Sequence, residues 1–179
     1  MSERKRSSVP PLGSWAPRER RYIVEWANER FPEAEKMFNV PLGPVPESLI
    51  AELGSLEKAA RTFRSWRPKI DAVLKLPDKV IFAEAEILDP KNAIGDLLYY
   101  RELVPETPDL GEILNMKREF WLVIPTYLKW VEDFATKRGI VVDIYTPDWL
   151  EDYLEEWKKY TTPEGMLKRQ ARKRMFGRI

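Results

Sequence analysis

Three acidic residues, Asp71, Glu84 and Glu86, have the spacing needed to act as one group. Glu84 and Glu86 alternate within Val80–Ile87 (VIFAEAEI), an apolar run with the period of two that predicts a strand. Successive strand side chains point to opposite faces. Phe82, Glu84 and Glu86 therefore share one face, and Ile81, Ala83, Ala85 and Ile87 share the other. Asp71 lies in a second apolar run, Ile70–Leu76, across the turn residues Pro77-Asp78-Lys79, with twelve residues between it and Glu84. A hairpin brings its strands to about 5 Å, so the three carboxylates converge on one side of a sheet. Burying an unpaired carboxylate costs several kcal/mol, so such a group needs a cation or a solvated cleft.

The chain contains no His and no Cys. That excludes disulfide scaffolds, zinc fingers, thiol nucleophiles, His-based triads and haem attachment. A metal must then be held by oxygen ligands, which suits Mg²⁺ or Mn²⁺, and a general base must be Asp, Glu, Lys or water. Such an ion activates water and stabilises charge on a phosphoryl group. The competing reading places Glu84 and Glu86 on a solvated face, paired with nearby Lys.

The elements that must position these acids alternate along the chain. Tyr22, Ile23, Trp26, Ala27 and Phe31 recur at helical spacing between Pro17 and Lys36. Met37–Pro46, with three prolines, reads as an extended edge segment, and Pro46–Arg61 as one helix with Gly54 at its middle. After the hairpin, Asp89 as N-cap and Pro90 at the first position open a helix reaching about Val104. Pro105 and Pro108 form a loop. Phe120–Ile124 is a buried strand, Tyr127–Arg138 a helix stopped by Gly139, Ile140–Tyr145 a strand and Asp148–Lys159 a helix. This order predicts an α/β fold, a mixed central sheet flanked by helices. The expected organisation is a flexible basic lead over 1–16, one domain over 17–160 and a basic tail over 161–179.

The pattern Ile70-Asp71-Ala72-Val73, turn, Val80–Ile87, then a helix resembles the core of the PD-(D/E)XK nuclease superfamily, over roughly residues 17–146. The resemblance implies a restriction-endonuclease-like fold and Mg²⁺- or Mn²⁺-dependent hydrolysis of DNA phosphodiesters. Asp71 and Glu84 match the two metal-binding acids, and the Ala85 carbonyl joins them as a ligand. A Glu on the first helix often completes the site; Glu25 is the candidate, with Glu29 next. Asp96 and Tyr100 are spaced like the Gln-x-x-x-Tyr element of the RecB-like and lambda-exonuclease-like branch, and would contact substrate or water behind the site. Two positions depart from the pattern: Glu86 stands at the Lys position and Asp96 at the Gln position. In that setting Glu86 orients water, or Lys69, Lys75 or Lys91 reaches in. The alternative function is a degenerate site on a retained fold, with a structural or partner-binding role in, for example, a viral or DNA-processing assembly.

The charges add a substrate side. The 30 basic and 29 acidic residues are unevenly spread, with six basic against two acidic over 1–21 and six against one over 162–179. Lys58, Arg61, Arg64 and Arg67 recur every three residues toward Asp71, with Phe63 and Trp66 interleaved. This stripe either contacts DNA phosphates, with Arg64, Arg67 and Lys69 binding substrate, or is a solvated helix face with Trp66 in the core. The tail from Lys168 to Arg174 adds DNA affinity or docks a protein partner through Met175, Phe176 and Ile179. With no run of about 18 apolar residues and no signal-peptide core, the expectation is a soluble protein with no membrane partner, cytoplasmic or acting in a host cytoplasm or virion.

Overall fold

The computed structural model describes residues 16–164, 167 and 171. Residues 1–15 of the expected N-terminal lead, and the tail basic residues with Met175, Phe176 and Ile179, lie outside these, while Ala16 begins the first helix. The chain divides into two compact units, one of them Leu12–Tyr145 and the other containing the last described helix.

The first unit is built on a five-stranded mixed sheet in sequential order. Its strands are β1 (Glu35–Pro41), β2 (Lys69–Lys75), β3 (Lys79–Ala85), β4 (Lys117–Ile124) and β5 (Ile140–Ile144). β1, β2 and β3 form an antiparallel meander, whereas β3–β4 and β4–β5 pair in parallel. The switch is required by the connections. A three-residue turn joins β2 to β3, but a parallel neighbour needs a crossover, supplied by helices α4 (Pro90–Leu103) and α5 (Lys129–Thr136). The mixed α/β sheet flanked by helices is the expected architecture.

Each face of the sheet has its own cover. Helix α1 (Ala16–Arg30) packs across β2 and β3, and its Trp26, with Phe31 just past its end, meets Trp121 of β4 at ring-centroid distances of 6.1 and 5.4 Å. Ala93, Ile94 and Leu97 of α4 join the core with Phe82, Phe120 and Leu122 on the opposite face. Alternation along β4 explains the division, because Trp121 points away from Phe120 and Leu122. At its far end α1 is tied to β5, where Trp26 donates to Asp143 at 2.8 Å and Tyr22 to the carbonyl of Tyr145 at 2.6 Å.

Several boundaries differ from expectation. The segment read as one helix is two, α2 (Glu47–Leu53) and α3 (Leu56–Phe63). Gly54 adopts φ +73° and Ser55 accepts from the Lys58 amide, so an αL stop and an N-cap lie back to back. Glu35 and Lys36 begin β1 rather than ending α1. The Pro105–Pro108 loop is largely 3-10 turns, Val104–Glu106 and Pro108–Asn115. Asp89 precedes α4 as N-cap residue, but its carboxylate takes no backbone amide and instead accepts from the Asn92 side chain at 3.2 Å.

The second unit contributes α6 (Leu150–Thr161), with Trp149 and Tyr153 meeting edge-on at 6.2 Å between ring centroids. No helix among the described residues is long and apolar enough to cross a membrane.

Candidate functional site

At Asp71 the sheet stops pairing on both sides. Toward β1 the register runs Glu35–Phe38 against Lys75–Ala72 and resumes at Val40 and Pro41 against Ile70 and Lys69, skipping Asn39 and Asp71. Asn39 has φ +54°, a left-handed conformation that Asn tolerates better than most side chains. Toward β3 the pairing ends at Ala72–Ala83, although β3 continues to Ala85. Side chains fill the break. The Ala85 amide donates to Asp71 Oδ2 at 3.0 Å, and the Asp71 amide donates to Glu84 Oε2 at 3.2 Å. Each carboxylate thus holds the other residue's strand where ladder bonds would run.

No basic side chain among the described residues pairs with Asp71 or Glu84. Burial, opposed by these amide hydrogen bonds and reinforced by the neighbouring carboxylates, pushes both carboxyls well above the carboxylate range, Glu84 further than Asp71. The neighbours are Glu86 and Asp96, and Asp96 is itself raised by burial and by Glu86. Tyr100 is buried while Tyr99 is exposed, so the inward tyrosine of the pair is Tyr100. Burial and then Glu84, Asp96 and Asp71 raise its phenol, holding it neutral.

The first helix contributes Glu19, not Glu25. Burial, then Glu86 and Asp71, push Glu19 up to about 7. Glu25 lies six residues on, about 240° around the helix, and forms an ion pair with Arg21 at 2.6 Å. Glu29 accepts from Tyr145 at 3.1 Å, over β5. Glu19 escaped the sequence reading because helical periodicity marks a buried stripe but not which end of the helix overlies the acids. Glu19, Arg20, Ile23, Phe38, Asn39 and Asp71 line a cavity of about 320 Å³. Arg20, also unforeseen, sets a cation at its wall.

Other candidates are placed elsewhere. Glu86 Oε1 accepts from the amides of Leu88 at 2.7 Å and Asp89 at 3.1 Å, capping the approach to α4. Lys75 is engaged by Glu112, and Lys91 pairs with Asp89 at 3.8 Å, so neither reaches Asp71. Lys69, half-buried, lies two residues before Asp71 on β2. Arg64 is exposed and donates to the Asn39 carbonyl at 2.9 Å, beside the cavity. Arg67, expected on the substrate side, is turned inward. It is 4% exposed, forks onto Asp109 at 2.7 and 3.0 Å, and donates to the carbonyls of Leu42 and Gly43.

Among the described residues no three acids stand together as a ready-made metal shell. Mg²⁺ does not require one, since it keeps several waters and binds through one or two carboxylates plus substrate phosphate. Asp71 and Glu84, two hard oxygen donors that no basic side chain among the described residues engages, fit that requirement.

The acids fix a direction for pH dependence. The folded state holds protons on these groups that the unfolded chain has already released, so the stability they contribute is fully present below the ordinary carboxyl value. It falls as pH rises from the ordinary carboxyl value of 4.5 through about 7 for Glu19. Thermal melts in chelator from pH 4.5 to 8.5 are expected to show Tm declining across that interval. Glu19→Gln should flatten the decline, and a Tm that climbs with pH would contradict it.

No family model and no curated protein matches the sequence. Two solved structures resemble the chain. One is a protein of unknown function, with TM-score 0.43 and 12% identity, covering 72% of this chain and 58% of its own. The other is a repair endonuclease from Pyrococcus abyssi, with TM-score 0.41 and 13% identity, covering 71% of this chain and 46% of its own. The chain therefore spans about half the length of these structures.

Proposed function

We propose that the protein is a metal-dependent nuclease that hydrolyses DNA phosphodiester bonds at Asp71 and Glu84. The observation that carries this is the half-buried Asp71–Glu84 pair in the break of the sheet, held by each other's strand amides and without a cation partner among the described residues.

The two carboxylates, with the Ala85 carbonyl, would hold Mg²⁺ or Mn²⁺. When bound, the ion supplies Lewis-acid polarisation of a phosphate and lowers the pKa of its water. Glu19, titrating at about 7, is suited to accept a proton at its carboxylate from an attacking water near neutral pH. Tyr100 keeps its phenolic proton and can donate it to a substrate oxygen. Arg20 and Arg64 give the approach cations for phosphate contact, which offset the negative charge of the acids.

One observation favours a second reading, a retired site on a DNA- or partner-binding fold. Glu86 occupies the position of the motif Lys, and its carboxylate is committed to the turn before α4.

Incubation of the purified protein with linear, circular and single-stranded DNA in Mg²⁺ and then Mn²⁺ separates the two. The nuclease reading expects cutting that stops on chelation. A folded protein that cuts none of these in either ion would transfer the assignment to the retired site.

A further inference from the structure

We propose that Trp66 is a stacking platform for an unpaired base, so that the chain receives its substrate as a single strand beside the acidic site. The inference rests on the nuclease reading for the nature of the polyanion, and it names the form of nucleic acid that site takes.

Trp66 lies in the 3-10 turn Arg64–Trp66 that continues α3, and it is 80% exposed. Its indole is therefore not used in packing, unlike Trp26, which is fully enclosed. The exposed residues that precede it along the chain are mainly cationic or polar. Lys58, Arg61, Arg64 and Ser65 are all exposed. An aromatic face among cations matches the chemistry of a single-stranded nucleic acid, whose phosphates meet the charges while a base stacks on the ring. A protein-docking patch would instead continue the apolar surface around the indole.

The turn is tied to the acidic site. Arg64 bonds the carbonyl of Asn39, and Asn39 lines the cavity that contains Asp71. Trp66 is five residues from Asp71 along the chain, so the two are separated by at most about 18 Å, within reach of one short stretch of strand. A duplex cannot use this platform, because its bases are already stacked and paired and their faces are closed to an indole.

The test is fluorescence anisotropy of a labelled thymidine oligonucleotide and of a matched duplex, in chelator, with the full chain and its Trp66→Ala and Trp66→Phe variants. The single strand is expected to bind more tightly than the duplex. Trp66→Ala should weaken single-strand binding about 5- to 100-fold, with the salt dependence of affinity unchanged. Trp66→Phe should retain most of the affinity. Because the indole is exposed, melting temperatures should match, which keeps folding out of the comparison. Equal affinity for duplex, or undiminished binding by Trp66→Ala, overturns the proposal. No cleavage is read, so this result stands apart from the metal-dependent cutting that tests the nuclease reading.

Discussion

Asp71→Asn is expected to abolish metal-dependent cutting, by about 10³-fold or more, and at the same time to raise the melting temperature at pH 8. The first effect follows from losing one of two carboxylates in the break, since metal-ion polarisation of a phosphate contributes several kcal/mol to the barrier and each 1.36 kcal/mol is tenfold in rate. The second follows from the charge balance. Asp71 faces Glu84, Glu86 and Asp96 with burial working against its charge, so an amide removes repulsion. Asn retains a side-chain oxygen for the Ala85 amide, so the strand remains held. A carboxylate that served only the fold would lose stability when replaced. Single-turnover cleavage beside calorimetry reads both effects, and a variant that is less stable or still cuts would remove Asp71 from the site. Glu84→Gln should behave alike, and the double variant should cut no worse than either single one, as expected for residues acting as a unit.

Arg67→Ala is expected to be among the most destabilising single changes in the chain, at about 3–5 kcal/mol. Its guanidinium takes both oxygens of Asp109 and two backbone carbonyls, Leu42 and Gly43. Beside it the Gly43 amide donates to Thr107 Oγ1 at 2.7 Å, and that hydroxyl donates to the Leu103 carbonyl at 2.7 Å. Together these join the loop after β1 to the 3-10 turns after α4. Truncation leaves a carboxylate and two carbonyls without their donor. For a domain of this size the loss corresponds to roughly 6–20 °C in Tm. Arg67→Lys should recover little, because one ammonium cannot reproduce the fork. At a temperature where Arg67→Lys is folded, its KM for DNA should equal that of the wild type. A raised KM with unchanged Tm would return Arg67 to the substrate side.

The contrast between Arg67 and Asp71 shows what the sequence made legible. Asp71, Glu84 and their hairpin were readable because the evidence is local, an apolar run on each side of Pro77-Asp78, with Glu84 and Glu86 alternating in the second. Pro90 and Gly139 marked helix limits for equally local reasons. Arg67 belongs to a regular basic stripe, and only the tertiary fold tells that one member turns inward to Asp109, 42 residues away. Glu19 was hidden by the same limit, since choosing it over Glu25 requires knowing how α1 lies on the sheet. Asn39 carried a usable signal, as an Asn inside an apolar strand run is a candidate for left-handed backbone, but its partner across the sheet is not visible in the chain order.

The amides of Asp71 and Ala85 bond to side chains rather than to the neighbouring strand. Elsewhere in a sheet's interior, hydrogen exchange requires ladder bonds to part together, so protection measures cooperative opening. At these two positions, rotation of a single carboxylate side chain releases the proton without disturbing the pairing around it. These two amides are therefore expected to open faster than their ladder-bonded neighbours, with exchange rates that follow the rotamers and protonation of Asp71 and Glu84 rather than the stability of the domain.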